Sequence, residues 1–320
     1  MNKLVSINIL TYNGENFIES CLKSVLNQTY PNVEILIIDN ASTDNTLKII
    51  QNLRVIKNDK NLGFAAGHNL GIRESRGEYV LCLNQDVILD KDFIKYAVET
   101  IEKDNKIGSL QGKLLRGYKI IDTTGLLMFK NRRVINRGQG EEDRKQYAAG
   151  EVFGADGAAP LYRRAALEDT KINNEYFDED FFCYKEDIDL AWRMQLYGWK
   201  AFYEPRAIGY HLRSAGERAA KNYLSVAKER RKIPEYAKFY SFKNQRLLQI
   251  KNELPGLFFR NIFAILIKEI GAWSYVLIFE HYILKVIKNL FRQAPNAFKK
   301  RKIIMTNKRI NAKEMAKWIC

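Results

Sequence analysis

The feature of this sequence that most constrains its fold is the regular alternation of strand and helix patterns over the first hundred residues. Four short apolar segments, typical of buried strands, alternate with segments in which apolar residues recur at helical spacing. The predicted strands are residues 5–10, 33–38, 54–57 and 79–83. This order predicts a mostly parallel sheet with helices on both faces, in which ligands bind at the carboxyl ends of the strands.

Polar residues follow three of these strands at the point where each strand ends. They are Thr11-Tyr12-Asn13, Asp39-Asn40 and Asn84-Gln85-Asp86. We expect them to share one crevice, because the carboxyl ends of parallel strands lie at the same edge of a sheet. The turn after the first strand holds one glycine, Gly14, where a dinucleotide-binding fingerprint requires three. A nicotinamide-dependent oxidoreductase is therefore disfavoured.

Two aspartates at strand ends have both a structural and a functional interpretation. Asp39 either caps the following helix or accepts hydrogen bonds from a base or ribose, although Asp44 is better placed as the cap. Asp86 stands between two apolar stretches, where a carboxylate needs a partner or a function. Asp90 is the better cap for the next helix, so Asp86 is available for a hard divalent cation.

Three glycines surround the helix predicted at residues 65–75. Gly63, Gly67 and Gly71 each cost a helix about 1 kcal/mol relative to alanine, so something must approach the backbone closely there. Either a ligand or tight helix–sheet packing would explain the glycines. Packing does not explain the two asparagines of the same segment, Asn61 and Asn69.

Residues 186–189 begin a predicted helix with three acids. Asp189 is explained by an ordinary pair with Arg193 four residues later, and acids at a helix start also complement its dipole. Glu186 and Asp187 are not explained so simply, because nearby aromatic residues surround them and can raise a carboxyl pKa toward that of a general base. His211, after a short apolar run, is either structural or a metal ligand.

The net charge of +15 is concentrated in the C-terminal third, where residues 211–320 carry 24 Lys and Arg against 7 Asp and Glu. The most apolar stretch, residues 256–291, contains an uncharged run of ten residues, about half the length of a spanning helix. A basic amphipathic segment of this kind suits an anionic membrane surface. The alternative is a helix whose apolar side packs on the α/β domain or on a second subunit.

Two further observations concern the cellular compartment of the protein and a different functional class. The four cysteines are scattered without metal-ligand spacing, and the N-terminus resembles a first strand rather than a secretory signal, which favours a reduced, cytosolic chain. The basic aromatic C-terminal region also allows a nucleic-acid-binding protein. No helix-turn-helix, zinc-finger or RNP-type pattern accompanies the charge, so we expect no nucleic acid as partner.

The motifs TYNGENFIESCLKSVLNQTYPNVEILIIDNASTDNT, NLGFAAGHNLGI, LNQDV and YKEDIDLAWRMQLYGWK together resemble those of a family 2 glycosyltransferase. The resemblance covers about residues 4–255 and is closest to bacterial rhamnosyltransferases of cell-surface polysaccharide synthesis. It implies a GT-A fold, which is a Rossmann-like α/β fold with a mostly parallel mixed sheet flanked by helices. We expect a catalytic domain at 1–212, with a nucleotide-sugar half (about 1–105) and an acceptor half (106–212), and a basic amphipathic helical region at 213–320.

The resemblance also implies roles for individual residues. Asp187 would be the catalytic base, supported by Glu186, and Asp86 would bind Mg²⁺ or Mn²⁺ with help from His211. Asn84 replaces the first acid of the family's metal motif, so binding of the cation should depend on the donor diphosphate. The expected donor-site residues are Thr11, Tyr12, Asn13, Asp39, Asn61, Gly63, Asn69, Asn84 and Gln85. The expected acceptor-site residues are Asp156, Gly157 and Trp192.

The implied activity is metal-assisted transfer of one sugar with inversion. The expected donor is dTDP-rhamnose, with a UDP-sugar as the alternative, and the expected acceptor is a glycan or a polyprenyl-diphosphate-linked sugar. Processive relatives carry a Gln-x-x-Arg-Trp motif, and this sequence has no Arg-Trp dipeptide, which favours single transfer. We expect the protein to be cytoplasmic and peripheral on the inner face of the cell membrane, and a homodimer is also considered.

Overall fold

The computed structural model describes residues 2–212 and 230–320. Within them the first half of the chain alternates strands and helices as the sequence predicts. The elements are β1 (Val5–Thr11), α1 (Ile18–Leu26), β2 (Val33–Asp39), α2 (Thr46–Ile49), β3 (Val55–Lys57), α3 (Gly63–Glu74), β4 (Tyr79–Asn84), β5 (Val87–Leu89) and α4 (Phe93–Ile101). The second helix is the one large departure, because it spans a single turn.

The middle of the chain contributes mainly short strands. They are β6 (Ile107–Arg116), β7 (Ile120–Thr123), β8 (Leu126–Met128), β9 (Val134–Asn136), β10 (Gly150–Val152), β11 (Leu161–Arg163) and β12 (Lys200–His211). Between the last two strands lie α5 (Arg164–Thr170) and α6 (Glu186–Leu196). The strands β8 and β9 form an antiparallel hairpin, and α6 ends before Gly198, whose φ of +81° suits a helix stop.

The described strands form one ten-stranded mixed sheet besides the β8–β9 hairpin. Its main path runs β10-β12-β6-β11-β4-β1-β2-β3, with β5 beside β12 and β7 beside β6. The strands of the first half are parallel, whereas β11 runs antiparallel between β4 and β6 and joins the two halves. Helices cover both faces, which confirms the predicted α/β architecture. The core between the sheet and α1 and α4 is built from aliphatic residues such as Ile7, Leu81 and Val25.

Helices make up the rest of the described chain. They are α7 (Glu235–Asn252), α8 (Pro255–Arg260), α9 (Ile262–Phe279), α10 (Val286–Asn307) and α11 (Ala312–Ala316). Pro234 and Pro255 stand at helix starts, whereas Pro295 lies inside α10. The expected boundary at residue 213 lies outside the described residues.

The C-terminal helices pack against the second half of the sheet domain. Arg132, fully buried, forms a salt bridge of 2.6 Å with Glu253 at the end of α7. The last residue, Cys320, exchanges backbone hydrogen bonds with the hairpin at Met128 and Lys130. The apolar cluster beneath α6 likewise includes side chains from α7, α10 and α11. These contacts bring residues from the end of the chain close to the predicted base.

Candidate active site

The pairing register brings the predicted polar residues to one edge of the sheet. Thr11 lies opposite Asp39 in the β1–β2 pair, and Leu10 lies opposite Asn84 in the β1–β4 pair. All three strands run in the same direction, so their last residues open into one crevice. The predicted clustering of strand-end residues is therefore present.

Asp39 has a carboxylate oxygen that suits a ligand. Its Oδ2 accepts the backbone N–H of Ser42 at 3.0 Å, whereas its Oδ1 is buried and makes no hydrogen bond. A buried carboxylate oxygen without a donor is costly, and a hydroxyl or N–H group of a bound nucleotide would satisfy it. Asp44, one residue before the N-cap Asn45, accepts the N–H of Thr46 at the start of α2 at 3.0 Å.

The turn after β1 is held by Gln85. The Oε1 atom of Gln85 accepts the Tyr12 N–H at 3.0 Å and the Thr11 hydroxyl, and its Nε2 donates to the Tyr12 carbonyl at 3.2 Å. Gln85 thus shapes the donor-side turn, and the Tyr12 side chain stays 46% exposed. Asn13 links this turn to the next, since its Oδ1 accepts the Thr43 N–H at 2.8 Å.

The glycines of α3 are explained by close packing. Gly63 has a φ of +80°, and a Cβ there would lie 2.4 Å from the Phe182 carbonyl oxygen. A Cβ at Gly67 would lie 2.4 Å from Leu10. Asn61 fixes the start of the helix by accepting the Gly63 N–H at 2.8 Å. Gly63 and Asn61 therefore bring the crevice wall against the segment that precedes α6.

The structure corrects the prediction that Asn69 contacts the donor. Asn69 is fully buried; its Oδ1 accepts the N–H groups of Tyr176 and Phe177, and its Nδ2 donates to the Phe177 carbonyl and to Glu179. These bonds use the hydrogen-bonding capacity of the amide. Asn69 positions the loop before α6 instead of binding a ligand.

Asp86 and His211 meet because β5 pairs antiparallel with the end of β12. His211 lies opposite Val87, which places His211 Nε2 3.4 Å from Asp86 Oδ1. On its other side, His211 Nδ1 lies 2.9 Å from Oδ2 of Asp122, which is fully buried. Arg116 Nε approaches the second oxygen of Asp122 at 3.3 Å. Sequence reasoning missed Asp122, which lies 89 residues before His211.

This donor set fits a divalent cation that is shared with a ligand. A carboxylate oxygen and an imidazole nitrogen face each other, and the second imidazole nitrogen is held by a buried carboxylate, which is the usual outer arrangement of a metal-binding histidine. No group of three or more His, Cys, Asp or Glu able to hold a metal occurs within residues 2–212 and 230–320. Asp86 and His211 would hold the cation, and diphosphate oxygens and water would complete its coordination.

The segment before α6 is strained. Phe182, Tyr184 and Lys185 all have positive φ values, of 65°, 67° and 73°, which non-glycine residues adopt rarely. Such conformations persist only where the surroundings enforce them, and they cluster at functional sites. Glu186 and Asp187 follow immediately, so this backbone determines where their carboxyl groups point.

The carboxylate of the predicted base, Asp187, is held by two backbone amides. Its Oδ2 accepts the N–H of Gly157 at 3.0 Å, and its Oδ1 accepts the N–H of Ile188 at 2.8 Å. Burial, with the nearby charge of Asp156 adding to it, outweighs these bonds and raises the pKa of Asp187 to about 6. A carboxylate with this pKa is charged at neutral pH and is a stronger base than an exposed aspartate.

Glu186 differs from its neighbour. It is 5% exposed, and its Oε2 makes no hydrogen bond. Burial, reinforced by the charge of Asp187, raises the pKa of Glu186 well above its ordinary value. We therefore expect Glu186 to favour its protonated form more than an exposed glutamate does.

The predicted acceptor residues divide into two groups. Asp156 lies near the predicted base, Asp187, and accepts hydrogen bonds from Asn136 Nδ2 and the Ala158 N–H, at 2.9 and 3.0 Å. Gly157 donates its N–H to Asp187. The prediction for Trp192 is corrected, because its side chain is fully buried in the apolar cluster under α6 and has no surface for a sugar.

Three residues of the C-terminal helices support this site and were not predicted. Asn244 Nδ2 donates to the carbonyls of Phe181, Cys183 and Tyr184, at 2.7 to 3.0 Å, and so fixes the strained segment. The other two are Lys251 and Lys300, which bind acids around α6. They lie 60 or more residues along the chain from their partners, and no local pattern signals them.

A crevice at parallel strand ends, with a nucleotide-side carboxylate and a tuned acid on a separate helix, is the architecture of a nucleotide-sugar transferase. Residues 6–171, just over half of the chain, match the family described as Glycosyl transferase family 2. The chain belongs to this family of enzymes, as the sequence motifs predicted.

Two relatives and two solved structures illustrate the similarity. Poly-beta-1,6-N-acetyl-D-glucosamine synthases of Staphylococcus epidermidis and of Staphylococcus aureus strain MSSA476 are 30% identical over 216 and 215 residues, covering 65% and 63% of this chain. The matches cover 50% and 48% of those proteins, so this chain spans about half the length of the curated relatives it matches.

Residues 1–349 of S. aureus TarS in complex with UDP-GlcNAc match with a TM-score of 0.59 and 18% identity, covering 94% of this chain and 90% of that one. The mannosyltransferase PcManGT from Pyrobaculum calidifontis, in complex with GDP-Man and Mn²⁺, matches with a TM-score of 0.52 and 16% identity, covering 95% and 85%. These likenesses confirm the predicted GT-A fold.

Proposed function

We propose that this protein transfers one sugar, with inversion, from a UDP-linked N-acetylhexosamine to a hydroxyl of a glycan carried on a polyprenyl diphosphate. The observation that carries the proposal is the Asp187 carboxylate, which two backbone amides hold beside Asp156 and whose pKa burial raises to about 6. The class of reaction follows from this base and from the crevice at the strand ends. The nature of the donor follows from the named relatives.

The proposed chemistry is a single displacement. Asp187 accepts the proton of the acceptor hydroxyl while that oxygen forms a bond to the anomeric carbon, and the bond from this carbon to the nucleoside diphosphate breaks. Asp39, with its buried free Oδ1, would hold the nucleoside on the other side of the crevice. When bound, a divalent cation neutralises charge that develops on the leaving diphosphate.

The choice of a UDP-linked donor replaces the expectation of dTDP-rhamnose. The matched relatives are poly-N-acetylglucosamine synthases, and TarS was solved with UDP-GlcNAc, whereas no named match concerns rhamnose. The lipid-linked acceptor is supported by a cation near the proposed base. Lys185 lies two residues before Asp187, and burial, with the charge of Lys268 adding to it, lowers the pKa of Lys185 to about 8. A cationic side chain at this position would suit the diphosphate of the acceptor.

The donor is tested by isothermal titration of UDP-GlcNAc, UDP-GalNAc, UDP-glucose and dTDP-rhamnose in the presence of Mn²⁺. We expect a UDP-N-acetylhexosamine to bind at least tenfold more tightly than dTDP-rhamnose, and to be consumed when a lipid-linked glycan is supplied. Preferred binding of dTDP-rhamnose would overturn the donor assignment and leave the transferase assignment standing. Asp39→Ala is the matched variant and should weaken the binding of every nucleotide tested.

The cation is tested separately, by titrating Mn²⁺ with and without UDP. Because Asp86 faces the Nε2 atom of His211 and diphosphate oxygens would complete the coordination, we expect weak binding of Mn²⁺ alone and binding at least tenfold tighter in the presence of UDP. Asp86→Ala should abolish this gain. Equal affinity with and without UDP would contradict the shared site.

A further inference from the structure

Helix α9 presents its apolar side to solvent. Exposed side chains recur at positions i, i+3, i+4, i+7, i+14 and i+15, which is one face of a helix. They are Phe263, Leu266, Ile267, Ile270, Leu277 and Ile278, with exposures from 45% to 79%. A contiguous apolar surface of this size on a folded chain marks a site of interaction.

The opposite side of α9 carries its charges and is bound to α7. Arg246 Nη2 contacts Glu269 Oε2 at 2.5 Å, and Lys268 Nζ donates to Glu269 at 2.6 Å. The ring of Trp273 packs edge-on against Phe242 of α7, with centroids 5.0 Å apart. These contacts fix the rotation of α9, so the apolar face cannot turn inward.

The exposed surface continues onto α10. Ile287, Phe291 and Phe298 are exposed by 41%, 78% and 58% and lie along one line of the helix. One position further around the same helix lie the exposed cations Lys288 and Arg292. The apolar strip of α10 is thus bordered by positive charge.

No exposed acid balances this charge over residues 255–302, all of which are described. The acids of this range, Glu269 and Glu280, are both held by cations; Glu280 binds Arg230 at 2.7 Å and Lys238 at 3.3 Å. The exposed cations of the range are Arg260, Lys285, Lys288, Arg292, Lys299 and Lys302. The surface is therefore apolar and purely cationic.

We propose that α9 and the first half of α10 dock this protein onto the surface of an anionic phospholipid bilayer, with α9 lying in the plane of the interface. The apolar face of α9 would be buried among the acyl chains, and the flanking cations would contact the lipid phosphates. A second copy of the chain is a poorer occupant, because symmetric pairing would bring two sets of unbalanced cations together.

A membrane span is also a poorer explanation, although α9 is long and apolar enough by composition, with 18 residues and a mean hydropathy of 1.8. A spanning helix would have to break the pair between Glu269 and Arg246 at its middle and carry Lys268 into the bilayer. Docking in the interface keeps these contacts, because they lie on the side of α9 that faces the protein.

This placement would bring the bilayer close to the catalytic base. Helix α7 links the two, because its Arg246 contacts Glu269 of α9 and its Asn244 donates to the carbonyl of Tyr184, three residues before Asp187. A lipid-linked acceptor would then reach Asp187 from the membrane surface. The docking proposal itself does not depend on the proposed function, because vesicle binding requires neither donor nor acceptor.

The test is flotation of the full chain with vesicles of phosphatidylcholine alone or mixed with phosphatidylglycerol. We expect binding to the mixed vesicles, weaker at high salt. Ile267→Glu with Ile270→Glu should reduce partitioning at least tenfold on both vesicles. Lys288→Gln with Arg292→Gln should reduce it about thirtyfold on anionic vesicles alone, since each cation contributes about fivefold.

Leu26→Glu on α1 is the matched control, because Leu26 is 62% exposed, as Ile267 is 63%; it should float like wild type. Circular dichroism and UDP binding show that each variant is folded. Failure of the wild type to float would overturn the proposal. Resistance to alkaline carbonate extraction would replace it with a span, and an oligomer that Ile267→Glu dissociates, without vesicle binding, would replace it with self-association.

Discussion

Two groups of carboxylates lie within a few residues of one another near the start of α6 and have opposite surroundings. One group lies among other acids, and the other is paired with cations. Glu186 and Asp187 are near other acids, and no salt bridge to either occurs in the described part of the chain. Asp189, two residues on, is buried between Arg193 at 3.1 Å and Lys251 at 2.7 Å. The helix therefore carries chemically available and structurally neutralised acids on different sides.

The neutralised group is continuous with the C-terminal helices. Asp178 binds both Lys251 of α7 and Lys300 of α10. Burial alone would raise the pKa of Asp178, but the two lysines outweigh it and hold that pKa below its usual value. The comparison shows what the C-terminal helices contribute: their lysines pair with Asp178 and Asp189, whereas Asp187 has no salt bridge within the described residues.

The largest effect is expected from Asp187→Asn, which removes the available acid while keeping its shape. We expect transfer to fall by about 10³-fold to 10⁴-fold, the upper part of the range for a general base. UDP affinity should be unchanged, and the thermal midpoint should be unchanged or higher because a buried charge is removed. Transfer within tenfold of wild type would show that another group is the base.

The next largest effect is expected from Lys251→Met, which removes a cation from the neutralised group. It leaves Asp178 and Asp189 buried with fewer partners, so the free energy of unfolding should fall by about 3 kcal/mol. Urea denaturation measures this change. Lys313→Met, at an exposed lysine of α11, is the control and should alter stability by less than about 0.5 kcal/mol. Equal losses of stability in the two variants would mean that the burial of Lys251 with its acidic partners does not stabilise the fold.

A change of pH should distinguish the available acid Asp187 from the neutralised acid Asp178 within the wild-type protein. The pKa of Asp187 is raised to about 6, so kcat/KM should fall about tenfold for each pH unit below that value. The folded state takes up this proton before the unfolded state does, so protonation of Asp187 does not destabilise the fold. Asp178 has a lowered pKa, so its stabilisation is lost only as the pH falls below about 4.

At about pH 5 the protein should therefore be folded but slow. A pH–rate profile measured beside thermal unfolding curves checks this. Loss of activity and of structure at the same pH would contradict the distinction between the two groups.

The sequence predicted the elements of the nucleotide half because their patterns are local. Strands and helices of residues 5–101 follow from apolar periodicity, and the position of Asp39 follows from the rule for parallel strand ends. The predicted core of the site, Asp187 beside Asp156, depended on a motif resemblance rather than on periodicity. The comparisons support the family, and the roles of these residues stay predictions.

The features that the sequence could not indicate depend on contacts between residues that are far apart in the chain. Asn69 and Trp192 are residue types that often contact ligands, and only their complete burial shows that they are structural. Lys251 and Asn244 belong to a basic segment whose charge suggested an external anion, yet both serve the loop and helix of the base. The apolar side of α9 likewise faces outward because Arg246 binds Glu269 on its inner side.

The smallest effect is expected from Glu186→Gln, and it tests whether the two adjacent acids really differ. Burial, then the charge of Asp187, raises the pKa of Glu186 well above its ordinary value, so we expect the native side chain to be a neutral acid. Glutamine has the same shape and charge, and kcat/KM should stay within about threefold of wild type, since a tenfold change requires about 1.4 kcal/mol. The acidic limb of the pH–rate profile should stay near 6, because no negative charge has been removed beside Asp187. A limb that moves down by a full unit would mean that Glu186 is ionised and raises the pKa of its neighbour.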